Sequence, residues 1–450
     1  MAQHSHYKKR TSKKYIRRRI LVAAVAVILV ASIIFGIRSC AGKLFGESGT
    51  QSGATSSGGA SSNTSEAPAE PYVVASASVG SSGDILIHDP LITNAKQSDG
   101  SYNFNNIFEH ITSYHNNYDL MVMNLEVTFG GTAAGAYRGY PVFNSPDTLA
   151  DAIKNAGVDL LLTANNHTYD TGEAGMLRTM KVLNEKGIAF TGTRENEDDT
   201  VYTVKEVNGI KIGIVCYTYS TTSGSRKALN GNVMTDSAGR LVNTFDYNKL
   251  GEFYTEAENA FRQMKQAGAE ATMIYVHWGN EYHRIPNSYQ TQMAQKISDM
   301  GYDVIVGGHP HVIQPFDTLT GKNGNKTVCI YSMGNAVSNQ RAEIMDSDNY
   351  SGHTEDGMIF GVKFDKYSDG TVVLADVNIL PTWVNLKTVN GKRVYQIVPL
   401  DMSVSDWSVF GLSNVTKAKN SYNRTMKLVG EGLNSYRTAN GLETVPTTIE

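Results

Sequence analysis

The chain is poor in cysteine, with three in 450 residues, and it carries no acidic side chain in its first 40 positions. Three cysteines cannot build a disulfide framework. Cys216 in IGIVCYTY and Cys329 in KTVCIYSMG lie inside apolar, strand-like runs and are expected to be buried free thiols, whereas Cys40 flanks an apolar segment. There is no internal repeat and no long charge run, which excludes a repeat array. The missing acids conceal an asymmetry. Residues 1–40 hold nine Lys or Arg, leaving 31 basic against 43 acidic side chains in residues 41–450, a net charge of −12. A large part this acidic is not that of a nucleic-acid-binding protein.

Long hydrophobic runs are also lacking, with one exception. After a basic tail (residues 1–19, KKRTSKKYIRRR within it) comes ILVAAVAVILVASIIFG, residues 20–36, seventeen uncharged and mostly apolar residues. A bilayer-spanning helix needs about 17 to 25 such residues. A cleaved signal peptide would have a shorter core and a small-residue cleavage site, but the flank here is Ile37-Arg38-Ser39-Cys40. The expectation is an uncleaved, single-pass signal-anchor with the basic tail in the cytoplasm and the rest outside the cell. Residues 37–70 are rich in Gly, Ser, Thr and Ala and read as a flexible tether.

From residue 71 onward, short apolar runs alternate with helical patterns, the signature of an α/β domain. YVVASASV leading into GDILIH, YDLMVMNLE, VDLLLTANNH, IKIGIVCYTY, ATMIYVHWG and YDVIVGGHPH read as strands. Helices are expected after Ser145-Pro146-Asp147, up to about Lys186, from about Leu250 to Ala267, and before YDVIVGGHPH. Asn208-Gly209 predicts a hairpin. The final third changes to antiparallel strands with turns at Asp369-Gly370 and Asn390-Gly391. We divide the exported part into a main domain, residues 71–400, and a helical extension, residues 401–450, with an amphipathic helix from about Ser413 to Tyr436.

One pattern recurs: apolar strands end in residues of metal-ligand type. These are Asp84, then Asn124 and Glu126, then Asn165, Asn166 and His167, then His277, and finally His309 and His311 in a Gly-Gly-His-Pro-His turn. Taken singly, each has an ordinary explanation as a cap, a turn or a satisfied strand-end histidine. Together they point to one crevice beyond the carboxyl ends of the strands. A mixture of imidazole, carboxylate and amide oxygen suits divalent Zn, Mn or Fe. Glu126 is the candidate to bridge two ions, and His167 to act as general acid.

The ordered set GD, NLE, NNH, HWG-x-E-Y, GGHPH-x-x-Q and YSMGN resembles the CapA family of poly-γ-glutamate capsule biosynthesis proteins, a branch of the calcineurin-like metallophosphoesterases. The resemblance covers about Val73 to Trp383. It implies a four-layer α/β/β/α sandwich of the metallo-dependent phosphatase type, preceded by one transmembrane helix. It also implies one or two divalent ions held by Asp84, Glu126, Asn166, His277, His309 and His311, with Asn166 and His167 as catalytic residues. Where the superfamily has Asp-x-His, this chain has Leu86, and His88 stands two positions on; the usual bridging Asp is Glu126. His88, Asn124, Glu281, Gln314 and Arg138 are candidates to support the ligands or to contact an anionic substrate. Trp278 and Tyr331 read as core. The resemblance implies an anionic polymer or phosphoester as substrate and other membrane subunits of a capsule-polymer synthase as partners. Three functions fit: a capsule-assembly hydrolase or transferase, a general exported metallophosphoesterase, and a non-catalytic polymer-tethering subunit.

Overall fold

The computed structural model describes residues 70–345 and 351–450, and residues 70–450 form one compact unit. The basic tail, the expected anchor at 20–36 and most of the tether lie outside the described residues. Among the described residues, no helix is long and apolar enough to cross a membrane.

Two mixed sheets make up the α/β framework. The first has eight strands: β1 (Val73–Ile85), β2 (Leu120–Leu125), β3 (Leu160–Leu162) and β4 (Ala189–Thr191) run parallel, while β16 (Asp356–Tyr367), β17 (Val372–Val389) and β18 (Lys392–Pro399) continue antiparallel from the other side of β1. At its carboxyl end β1 exchanges β16 for the short parallel strand β15 (Asn335–Val337). The second sheet has β6 (Ile210–Tyr219), β11 (Ala271–His277), β12 (Val304–Gly308) and β14 (Lys326–Ile330) in parallel, joined by β10 (Thr244–Phe245). Antiparallel β5 (Tyr202–Val207) and β13 (Phe316–Thr320) lie on its two sides. A small ribbon, β7 (Thr221–Ser223), β8 (Arg226–Leu229) and β9 (Asn232–Val233), leaves the end of β6.

Residue alternation explains how these sheets pack. Along β2, Leu120 and Val122 enter one buried cluster while Met121, Met123 and Leu125 enter another; along β11, Met273 and Tyr275 divide in the same way from Ile274 and Val276. The period of two sends one side-chain set between the sheets and the other beneath helices. The shared inner cluster contains Val79, Val122 and Leu162 from the first sheet with Ile212, Met273 and Val306 from the second. Ser81 Oγ and Tyr275 OH, 2.8 Å apart, link the two sheets within it. Helices Thr148–Asn155 and Gly172–Lys186 cover the outer face of the first sheet; Leu250–Gln266 and Ser288–Met300 cover that of the second.

The hairpin at Asn208-Gly209 and the turn at Asn390-Gly391 form with both residues of each pair in the left-handed region, as I′-type turns demand. Cys216 and Cys329 are buried and free. In the final third, antiparallel pairing governs β16 to β18, but the segment KTVCI becomes β14 and pairs in parallel with β12 in the other sheet. The tail helix, Val415–Ala439, is capped by the Asn414 side chain, which accepts from Lys417 N. Its stripe of Ala418, Tyr422, Met426, Val429 and Leu433 belongs to the inner cluster, so residues beyond 400 complete the core instead of standing apart from it.

Candidate metal centre

The carboxyl ends of both parallel strand sets meet at one end of the sandwich. Asp84 and Asn124 are register partners on β1 and β2, as are His277 and Gly308 on β11 and β12. This register brings Asp84, Glu126, Asn166, His277, His309 and His311 together, all of them buried. Two groups have donor atoms within 4.8 Å of one another: Glu126, His277 and His309, and Asp84, Glu126 and His311. Glu126 belongs to both. Its Oε1 lies 3.5 Å from His277 Nε2 and 3.9 Å from His311 Nε2.

Two atoms test whether a cation suits this cluster. Glu126 Oε1 and His309 Nδ1 are buried with no hydrogen-bond partner among the described residues. Buried polar atoms are seldom left so, and both belong to the same donor group, so a cation would satisfy them together. The electrostatics point the same way. Burial pushes the Glu126 carboxyl well above the ordinary range, and the Asp84 and Glu281 charges add to it. Burial also holds His277 down to about 3, and holds His309 well below its usual value with help from His277 and His311. Neutral imidazoles beside crowded carboxylates are the forms that ligate divalent ions. For Asp84, burial raises the pKa, but the His311 hydrogen bond and charge outweigh it and leave the carboxyl below its usual range.

Backbone geometry holds the ligand set in place. The sequence suggests that Gly307 and Gly308 supply the sharp turn; instead, His309 and His311 themselves are left-handed, at φ 95° and 57°. Such residues cost of order 1–3 kcal/mol and persist only where the surroundings enforce them. Here Asp84 Oδ2 accepts from His309 N at 3.4 Å and lies 3.2 Å from His311 Nδ1, while Trp278 N and Tyr282 N donate to Gly308 O and Pro310 O. Gly307 is needed for close approach: a Cβ there would lie 1.9 Å from Tyr331 O and 2.5 Å from Trp278 Nε1. Trp278 and Tyr331 are buried core residues, as expected, and the indole Nε1 donates to Tyr331 O.

The remaining candidates divide. Asn124 Nδ2 donates to Asp84 Oδ1 at 2.8 Å and to Glu126 Oε2 at 3.0 Å, holding two like charges apart. Asn165 is a brace, donating to Asn124 Oδ1 and Leu125 O while accepting from His167 N. Asn166 Oδ1 lies 2.8 Å from His277 Nε2. Glu281 is exposed but near enough to act on Glu126. His88 joins neither donor group: its Nδ1 accepts from Asn339 N and its ring meets Phe143 edge-on. Leu86 packs in the outer cluster under the helices, so that strand position offers no ligand. Gln314 accepts from Gln290 Nε2 and donates to His283 O, anchoring the loop after His277. Arg138 Nη1 reaches the carbonyls of Ala134 and Ala136 in its own loop, each at 3.4 Å.

Two residues escaped sequence reasoning. Asp170 Oδ2 lies 2.8 Å from His167 Nδ1 and also accepts from Phe143 N, fixing the imidazole. The spacing HTYD placed an acid three residues on, a signal that was available. Asn230, at the tip between β8 and β9, accepts from Asn166 Nδ2 at 3.1 Å and lies 3.4 Å from His167 Nε2. No local pattern connects positions so far apart in the chain.

A mixed α/β sandwich whose strand ends hold two linked histidine–carboxylate groups defines a protein with a candidate divalent-metal centre. Residues 78–340 match the family described as bacterial capsule synthesis protein PGA_cap, and the chain belongs to that family. It is 28% identical over 262 residues to the capsule biosynthesis protein CapA of Bacillus anthracis, covering 57% of this chain and 59% of that one. It is 30% identical over 192 residues to the PGA biosynthesis protein CapA of Bacillus subtilis, covering 42% and 44%. The matches therefore span about half the length of these relatives. A weaker match, 26% over 171 residues, joins 37% of the chain to 25% of a Haemophilus influenzae protein named NAD 5'-nucleotidase.

Proposed function

We propose that this member of the capsule-synthesis family is a membrane-anchored, extracellular metal-dependent hydrolase in capsule or poly-γ-glutamate biosynthesis, built as the four-layer sandwich of the metallo-dependent phosphatases. The observation that carries the reading is Glu126, one buried carboxylate common to two histidine-containing donor groups. Asp84, Glu126, Asn166, His277, His309 and His311 would hold one or two ions of the Zn, Mn or Fe type, which supply Lewis acidity and an activated water. The chain's own residues do the rest. Asp170 fixes His167 through Nδ1, leaving Nε2 to carry a proton toward a leaving group. Asn230 and Asn166 hold that imidazole's surroundings in register.

The basic tail and apolar segment 20–36 support anchoring with the domain outside the cell. Other membrane subunits of a polymer synthase are the expected partners, and an anionic polymer or a phosphoester the substrate. The match to a protein named NAD 5'-nucleotidase favours testing phosphoester hydrolysis first. The test is metal analysis of the purified chain, followed by a screen of phosphoesters against γ-glutamyl amides. We expect one or two equivalents of metal and turnover that falls about 10²–10⁴-fold in His167→Ala. A protein that takes up no Zn, Mn or Fe, and whose stability chelation leaves unchanged, would remove the basis of the proposal. Full polymer production by a folded His167→Ala chain would favour a tethering role.

A further inference from the structure

The small ribbon that leaves the end of β6 returns to the metal centre at its tip. Leu229 on β8 and Met234 just after β9 are buried in the inner cluster and hold the ribbon down, while Leu229 pairs with Asn232 and leaves a two-residue loop, Asn230-Gly231. Both loop residues are left-handed, at φ 46° and 77°. Such a loop takes Asn, Asp or Gly at its first position. The turn alone therefore does not choose among them, and the side chain of Asn230 has a second use.

Its amide touches two members of the site. Asn230 Oδ1 accepts from Asn166 Nδ2 at 3.1 Å. That bond fixes which way the Asn166 amide faces: with Nδ2 committed to Asn230, Oδ1 is turned to His277 Nε2, 2.8 Å away, and so toward the donor group of Glu126, His277 and His309. Asn230 Nδ2 lies 3.5 Å from His167 Nδ1 and 3.4 Å from Nε2. An in-plane partner of one ring nitrogen reaches that distance from the other only by overlapping the carbon between them, so the amide nitrogen rests over the face of the imidazole. There its hydrogens meet the π-electrons of the ring, and the amide oxygen is left for Asn166. Asp170 holds the same ring in plane at Nδ1, so neither partner blocks the in-plane direction of Nε2. Asn166 and His167 are buried, and Asn230 reaches both from the surface.

We propose, on the reading of this cluster as a metal centre, that Asn230 is a positioning residue: it sets the Asn166 amide so that oxygen and not nitrogen is offered to a cation. Without it that amide can turn over and present Nδ2, a donor group that cannot ligate. Calorimetric titration of Mn or Zn into the chelator-treated full chain in detergent tests this. Asn230→Gly keeps a residue at ease in the left-handed turn and removes the amide, so metal affinity should fall about 10–100-fold. In a chain already carrying Asn166→Ala the same change should cost nothing further, because the side chain it acts through is gone. Asn390→Gly, an equal relaxation of the Asn-Gly turn between β17 and β18, should leave the affinity unaltered. The proposal is overturned if Asn230→Gly, folded by circular dichroism, binds metal as tightly as wild type, if its loss is as large in the Asn166→Ala background, or if Asn390→Gly weakens binding as much. A wild type that takes up neither metal overturns the metal-centre reading and this inference with it, whereas a wild type that binds beside an unaffected Asn230→Gly overturns this inference alone.

Discussion

Replacing Glu126 by Gln separates the cost of a buried charge from its use. The substitution keeps side-chain shape, and a Gln oxygen can still accept from Asn124 Nδ2, 3.0 Å from the present Oε2. What disappears is a carboxylate with negligible exposure beside Asp84, a second buried acid. In chelated protein Glu126→Gln should therefore be as stable as wild type, or more so. Added metal reverses the order. At a free metal concentration of about 100 times Kd, binding stabilises the wild type by about 2.7 kcal/mol. Loss of a ligand common to both donor groups should weaken affinity by about 100-fold or more, against the 10–100-fold seen when mere supports of ligands are lost. At the same metal concentration the variant then gains only about 0.4 kcal/mol. Urea unfolding of both proteins, with chelator and with Mn or Zn, measures all four stabilities. Equal metal-induced gains in the two proteins would refute the assignment of Glu126, and so would a chelated variant weaker than wild type by more than about 2 kcal/mol.

Asp170→Asn leaves the accepted bond from Phe143 N feasible but removes the charge that fixes His167; kcat should fall at least tenfold with KM and metal content little changed, as steady-state kinetics and metal analysis would show. Burial holds His115 down to about 4 while its Nδ1 bonds to Ala156 O. The unfolded chain therefore binds the proton more readily, so stability is complete above about pH 6.5 and is lost as pH falls toward 4, by about 3 kcal/mol. His115→Gln should lack this component, and denaturant midpoints between pH 7 and 4 would reveal it. Arg424 on the tail helix forms a two-pronged pair with the buried Asp356, at 2.8 and 2.6 Å. Arg424→Leu strands that carboxylate and should cost about 3–5 kcal/mol in equilibrium unfolding.

The candidate metal-binding residues were legible because each lies at or just beyond the end of an apolar strand, and parallel strands deliver their carboxyl ends to one edge. The strands LMVMNL and IKIGIVCYTY were legible as apolar runs between helical patterns; their division between two buried faces came from the structure. The partners of Gln314 and Arg138 were not legible, because the partner of a polar side chain depends on which backbone happens to lie within reach. For Gln314 that is the carbonyl of His283; for Arg138 it is its own loop. The place of Asn230 arises from a ribbon folding back across the molecule, and no local pattern encodes that approach. Gly307 of the His-Pro-His turn matters for a reason the sequence does not show, because its steric clearance depends on Tyr331 and Trp278 in the folded chain.

The central place of β1 has a kinetic consequence. This strand is the first described element of the chain, yet its antiparallel neighbour begins with Asp356, and Val73 is held by Tyr367. Its carboxyl half can pair early with β2, but the edge that faces β16 stays open until most of the polypeptide is available, and the stripe from Ala418 to Leu433 must follow before the core is closed. Contacts so remote in sequence make folding slow, because loop closure precedes any gain from pairing. A chain that emerges from its amino terminus would thus wait, with one edge of β1 open, until its last hundred residues arrive. In that interval the open edge is a template for unwanted strand pairing, which the arrival of Asp356–Tyr367 removes.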